Sequence, residues 1–283
     1  MTVIFKAKTR EGYLIKILAE LLQNNIKTGC FEFNKKGIFL RMMDHHRTIL
    51  IDLELPSDSF SLYKIKLNNG SDKLFVGINL THFHKMLKSI KKRDSIEFFI
   101  EDTSPTELGI KVIPKENNRI TTSFIKIQNI QNLEIDIPKN YGKPIIVPSI
   151  EFQKMCKGLT YISNSTKITA KNFLVRFISD AGGIMKRCTE FGENEEEDDQ
   201  KAEKEMEEDS TEEEEYSEDF DTEQLTRICK ISGLNTTMQI YPKTDNPLLF
   251  RSFVGNLGKI SIYLKSKNLQ EIESHAVEEE TDD

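Results

Sequence analysis

The sequence predicts an α+β protein made of four copies of one unit, a strand, a short amphipathic helix and several further strands. Three observations carry this expectation. A six-residue phrase returns at a nearly constant spacing, an alternating apolar pattern follows each copy, and the chain turns basic once two acidic runs are set aside.

The phrase is clearest as FHKMLK at 83–88. FQKMCK at 152–157 and LTRICK at 225–230 echo it, and LIKILA at 14–19 does so more faintly. A helix advances about 100° per residue, so Met86, Leu87 and Ile90 fall within about 60° of Phe83 and form one apolar stripe. Lys85, Lys88 and Lys92 fall on the opposite side. After each phrase come alternating apolar residues that read as strands: CFEF from 30, SIEFFI from 95, KITA from 167 and TMQIY from 237. The period of about seventy residues exceeds that of common solenoid repeats, but the inference is the same: one supersecondary unit is used four times.

The 283 residues, 37% of them hydrophobic and seventeen of them Phe, suffice for two ordinary domains with real cores. The longest apolar runs, such as ILIDLEL at 49–55, are broken by acids, so no membrane span is expected. MTVIFKAKTREG carries Lys6, Lys8 and Arg10 and lacks the apolar centre of a secretory signal. Cys30, Cys156, Cys188 and Cys229 form no CxxC pair, which argues against a zinc site or disulfide framework. They are expected to be small core residues.

The net charge of −7 is unevenly spread. Residues 192–223 hold nineteen acids against Lys201 and Lys204, and EEETDD at 278–283 adds five more negative charges; the remainder carries +15. So acidic a run cannot offset its ordering entropy by burial, so 192–220 is expected to be a disordered insertion and 271–283 an acidic tail. A lysine-rich outer face on one helix is ordinarily just solvated. Four such faces in a basic fold point instead to a polyanion met by equivalent helices. Lysines act on phosphates as point charges. Base readout would want Arg, Asn or Gln, and single-strand binding would want aromatics among the lysines; neither pattern dominates. Sequence-independent duplex binding is favoured.

GINLTHFHKMLK at 77–88 resembles the corresponding stretch of the proliferating cell nuclear antigen family, the eukaryotic DNA sliding clamps. So do LRMMDHHRTILIDLEL at 40–55, Phe60 and Tyr63, PSIEFQKMCKGLTYI at 148–162 and NPLLFRSFVGNLGKISIYLKSK at 246–267. The resemblance implies the DNA clamp fold: two alike domains of two units each, at 1–125 and 140–270, joined by a connector at 126–139. Three subunits would close head to tail, with helices lining the hole and antiparallel sheets outside. It implies that Lys16, Lys85, Lys88, Lys154, Lys157 and Lys230 face duplex DNA, with Arg227 nearby. Ile17 and Gln23 stand where the family often has lysine, so the first helix should contribute least.

The resemblance also makes 120–126 an edge strand whose Thr121, Ser123, Phe124 and Ile125 pair with a neighbouring subunit's GGIMKRC at 182–188, through Ile184 and Lys186. Open edges invite such pairing, and a head-to-tail contact can close a ring. A pocket for short peptides of polymerase, clamp loader, nuclease and ligase is implied at Met43, Thr48, Ile135, Ile137, Pro247 and Tyr263. Arg47 stands where the family usually has histidine, and Lys265 and Ser266 where it usually has alanine and proline. The two cations, Arg47 and Lys265, would favour peptides with an acidic flank.

MDHHR at 43–47 could pass for a metal or acid-base cluster. Adjacent strand residues point to opposite faces, so His45 and His46 are not expected to share a site. His82 and His84 likewise diverge on a helix. No Walker loop, HExxH or GxSxG is present, so neither an enzyme nor a cofactor is expected. The functional expectation is a homotrimeric clamp and processivity factor at the nucleus or a viral replication site. The alternatives are a checkpoint-type heterotrimeric clamp subunit and, from a different class, an acidic histone chaperone.

Overall fold

The computed structural model describes residues 3–67, 71–116, 119–132, 134–192 and 215–281. Residues 193–214, which hold most of the expected acidic insertion, and Asp282 and Asp283 of the tail lie outside them. The chain divides into two compact units. The first comprises Met1–Ile137, Arg227–Thr236 and Arg251–Ile262, and the second Pro138–Thr226, Thr237–Phe250 and Tyr263–Asp283.

The first unit begins with β1 (Val3–Thr9), α1 (Gly12–Asn25), β2 (Thr28–Asn34), β3 (Gly37–Met43), β4 (Ile49–Pro56) and β5 (Leu62–Ile65). There follow β6 (Lys73–Asn79), α2 (Leu80–Leu87), β7 (Ser95–Glu101), β8 (Ser104–Ile113) and β9 (Thr121–Lys126). Strands run antiparallel in the order β5-β1-β7-β8-β9, which leaves β9 at one edge. A second antiparallel ladder runs β6-β2-β3-β4. Phe5, Phe33, Leu40, Ile51 and Leu53 are buried with α1's Ile15, Leu18 and Leu22. The alternation of β1, whose Phe5, Ala7 and Thr9 are buried, is the sequence pattern made visible.

The second unit continues with β10 (Ile145–Pro148), α3 (Ser149–Leu159), β11 (Ser165–Lys171), β12 (Leu174–Asp180), β13 (Lys186–Gly192) and β14 (Tyr216–Asp221). Further along the chain come α4 (Thr222–Ile228), β15 (Thr237–Tyr241), β16 (Leu248–Phe253), β17 (Lys259–Leu264) and α5 (Lys267–Thr281), of which residues 227–228 of α4, 251–253 of β16 and 259–262 of β17 group with the first unit. One sheet is ordered β13-β12-β11-β14, with β13 at its edge. β10 pairs with β15. Phe152 packs edge-on to Phe177 and against Phe250, all fully buried.

One expectation is corrected. The acidic insertion does not reach 220, because a strand begins at Tyr216. Tyr216 and Phe220 lie an even number of residues apart, face one side and are buried, while Ser217 and Asp219 between them are exposed. Apolar spacing outweighs local acidity here. Within the expected acidic tail, α5 continues helical to Thr281. Of the expected second domain, Arg227–Thr236 and Arg251–Ile262 group with the first unit. There the 3-10 turn Cys229–Gly233 packs on α1, and a Cβ on Gly233 would come within 2.9 Å of Ile17 Cγ2. Lys230 pairs with Glu20 at 2.8 Å.

The pairings also show how long the insertion needs to be. Gly192 pairs with Leu174, Leu174 with Lys171, and the adjacent Ala170 with Tyr216. Gly192 and Tyr216 therefore sit at one end of the sheet, three strand spacings or about 14 Å apart, a gap that about five extended residues cover. Replacing 193–214 by about six Gly and Ser residues should leave the far-ultraviolet spectrum intact. Loop-closure entropy changes only slowly with length, so unfolding free energy at 1 M salt should shift by only ~1 kcal/mol. Loss of soluble folded protein would place a structural element in the deleted stretch.

Candidate functional site

Each short helix is positioned by its buried row. In α2, Asn79 caps the N-terminus by accepting the His82 N–H at 2.9 Å, and Leu80, Phe83, His84 and Leu87 are buried. Lys85 and Lys88 are exposed. Met86, expected in the apolar stripe, is 39% exposed, whereas His84 is 8% exposed. Leu80, one turn before the quoted phrase, rotates the stripe toward His84 and leaves Met86 at its margin. In α3 the buried row is Phe152, Met155, Cys156 and Leu159, with Lys154 and Lys157 outside.

The seven cations named from the sequence differ in what they touch. Lys85, Lys88 and Lys157 have no carboxylate partner among the described residues. Lys154 meets Glu151 at 2.7 Å, both largely exposed. Lys16 donates from Nζ to the Lys88 and Ile90 carbonyls at 2.7 and 3.2 Å, so α1 helps to close the C-terminus of α2. Lys230 is engaged by Glu20. Arg227 is the most structural: its Nη2 donates at 3.0 Å to the buried Asp44, whose other oxygen accepts the Thr48 and Ile49 N–H groups. Desolvated carboxylates are costly unless paired, so Arg227 helps to hold the β3–β4 turn.

That turn corrects another expectation. His45 and His46 lie in it rather than in a strand, and their exposed rings sit 5.3 Å apart, edge to face. Arg47 adopts φ 57°, with its N–H bonded to the Asp44 carbonyl. No cluster of three or more His, Cys, Asp or Glu suited to a metal occurs among the described residues.

The expected edge strands are edges of their own sheets. On β9, Phe124 is 52% exposed and meets Phe99 edge-on, Thr121 is exposed, Ser123 is half-buried and Ile125 turns into the core. Ile184, in the turn before β13, is 89% exposed, and Lys186 is exposed as well.

The expected pocket residues fall in two sets. In the first unit, Met43 is half-buried, Thr48 is buried, and the Ile135 carbonyl accepts from Arg41 at 3.3 Å. Ile137 is half-buried and Arg47 exposed. In the second unit, Pro247 and Tyr263 are joined by Tyr141, whose hydroxyl donates to the Pro247 carbonyl at 2.6 Å and whose ring lies 6.1 Å from that of Tyr263. Burial pushes the Tyr141 hydroxyl's pKa up, so it stays a donor. Sequence reading missed Tyr141; the signal available was an aromatic alone in the loop PKNYGKP.

The two departures at 265 and 266 have a shared cause. Ser266 Oγ accepts the Leu269 N–H at 3.2 Å, its carbonyl accepts from Gln270, and Lys265 Nζ pairs with Glu273 at 2.5 Å. Both residues serve the start of α5. Lys265 is therefore not the free cation expected at a pocket rim, because its charge is already met within the chain.

Profiles of the proliferating cell nuclear antigen N-terminal and C-terminal domains match residues 4–136 and 136–267 respectively. The chain belongs to the proliferating cell nuclear antigen family. It is 26% identical over 266 residues to "Probable DNA polymerase sliding clamp 1" of Paramecium bursaria Chlorella virus 1, covering 93% of this chain and 96% of the viral protein. It is also 26% identical over 270 residues to "Proliferating cell nuclear antigen" of Chaetomium thermophilum, covering 93% of this chain and 98% of the fungal one. The α+β fold of two antiparallel units is the DNA clamp fold. Within this family the C-terminal match stops at Lys267, where α5 begins.

His84 gives this family member a pH-dependent element. Burial lowers its pKa, an effect the nearby Lys88, Lys16 and Lys230 reinforce and Glu20 partly opposes. The unfolded chain therefore binds the proton more readily than the folded one. Stability should be complete above the ordinary histidine range near pH 6.5 and should decline as pH falls through the folded value. Urea midpoints at pH 7.5 and 5.5 check this: His84→Gln should flatten the fall, and an unchanged slope would clear His84.

Proposed function

We propose that this chain is a homotrimeric DNA sliding clamp, a processivity factor that encircles duplex DNA and docks replication and repair proteins. The observation that carries the reading is the repeated placement of lysines opposite the buried row of short helices, with Lys85, Lys88 and Lys157 left without carboxylate partners. Contacts of ammonium groups with phosphates carry no sequence information, so a ring held by them can slide. The exposed edges β9 and β13 supply two unlike surfaces, as a head-to-tail ring requires. Its proposed contacts are Thr121, Ser123, Phe124 and Ile125 against Ile184 and Lys186.

The clamp itself is non-enzymatic and works as a platform. Its peptide-docking residues are Met43, Arg47, Thr48, Ile135 and Ile137 together with Pro247, Tyr263 and Lys265, which receive segments of polymerase, clamp loader, nuclease and ligase. Lys265 is neutralised by Glu273, so any preference for an acidic flank rests on Arg47 alone. The relatives' viral and fungal sources fit work at a viral replication site or in the nucleus. A checkpoint-type heterotrimer is the second reading, favoured by the chain's departure at Ile17; native mass spectrometry of the pure chain separates the two.

Topology provides the main test. After loading, the protein should stay on closed circular duplex through a wash at 1 M salt, where screening shortens to about 3 Å, and should be lost when the circle is cut. Equal retention on both forms would refute encirclement. At low salt, replacing Lys85, Lys88 and Lys157 with Ala should speed dissociation from linear duplex several-fold, because each lost phosphate contact weakens binding.

A further inference from the structure

A cleft of about 740 Å³ opens in the first unit between the turn after α2 and the connection from β8 to β9. Lys91, Lys92, Arg93, Lys115 and Arg119 line it, all exposed. None has a carboxylate partner among the described residues. Of the acids at the cleft, Asp94 is buried and accepts the Lys91 N–H at 2.9 Å, so it closes the turn rather than neutralising the surface. Glu116 is the other. Lys8 and Arg10 line an adjoining cleft together with Arg93 and Lys115, which extends the basic surface. So many like charges repel one another and attract a polyanion.

The rim of the cleft identifies which polyanion. Thr121, the first residue of the edge strand β9, lies on it. The other free edge, β13, ends at Gly192, and the chain then runs directly into 193–214, which hold fourteen acids against two lysines. Antiparallel pairing is the commoner arrangement. If β9 of one copy pairs in this way with β13 of the next, Gly192 arrives opposite Thr121 and the acidic segment starts at the mouth of the basic cleft.

We propose that the acidic segment 193–214 of one copy binds the cleft lined by Lys91, Lys92, Arg93, Lys115 and Arg119 of its neighbour, adding a salt-sensitive contact to the strand pairing. The inference rests on the ring reading and adds to it a role for the insertion. Duplex DNA could neutralise the same cations, but nothing places it at Thr121, whereas the strand edges deliver the acidic segment there.

The test uses the full chain, mixed from nitrogen-15-labelled and unlabelled copies, coupled with a zero-length carbodiimide and mapped by mass spectrometry. Native mass spectrometry of the uncoupled sample reports assembly separately. Expected are labelled-to-unlabelled bonds from carboxylates of 193–214 to Lys91, Lys92 or Lys115. Their yield should fall several-fold between 0.1 M and 1 M salt as the screening length shrinks from about 10 to about 3 Å. Lys115→Glu with Arg119→Glu should cut coupling at Lys91 and Lys92 several-fold while trimers remain. Trimers that show no such bonds, or only bonds within one chain, overturn the proposal and leave the ring reading standing. A double variant that loses duplex retention with unchanged coupling assigns the cleft to nucleic acid instead. A chain that never assembles refutes the ring reading, and this inference falls with it.

Discussion

A helix of two turns such as Leu80–Leu87 has room for a single buried row. Once Leu80, Phe83 and Leu87 fill it, lysines in the remaining positions must leave by the opposite side. Burying one such side chain stabilises the fold by about 1.5–3 kcal/mol, whereas a surface lysine is nearly neutral to stability. The apolar row therefore fixes the orientation of the helix, and the charge follows without cost. α3 obeys the same constraint through Phe152, Met155 and Leu159, and α1 through Ile15, Leu18 and Leu22.

The chain then divides its cations by what lies within reach. Arg227 and Lys230 are tied to Asp44 and Glu20, and Lys16 to carbonyls at the end of α2. These groups fasten the helices in the first unit to one another and to the β3–β4 turn. Lys85, Lys88, Lys157 and the cations of the cleft beside β9 are left to meet something outside their own fold. The acidic runs lie elsewhere in the sequence: one follows the edge strand β13, and the other ends α5. The net charge of −7 is thus a sum over separated surfaces, and association depends on the local terms.

The C-terminal helix shows how two substitutions become intelligible together. A proline at 266 would have no hydroxyl to cap α5, and an alanine at 265 would offer nothing to Glu273. Lys267 adds contacts to Ser165 and Asp221, which tie the beginning of α5 to β11 and β14. Lys265 and Ser266 are therefore tied to the start of α5, which leaves Lys265 no free charge to offer a pocket rim.

The sequence by itself determined the four-unit plan, the helix positions and the strands that follow them, because periodicity is a local property and each short element needs one apolar face. It also determined that Lys85, Lys88 and Lys157 point outward, since three or four residues of spacing fix a helical face. Only the tertiary structure decided the matters that depend on partners distant in the chain. Asp44 claims Arg227 from 183 positions away and sets His45 and His46 in a turn. Leu80 draws the α2 stripe toward His84 and away from Met86. Pairing with β11 turns Tyr216 and Phe220 into a strand within an acidic run, and Tyr141 finds Pro247 across 106 positions. Burial and hydrogen bonding at such range are set by which surfaces the folded chain brings together, and no local pattern encodes that choice.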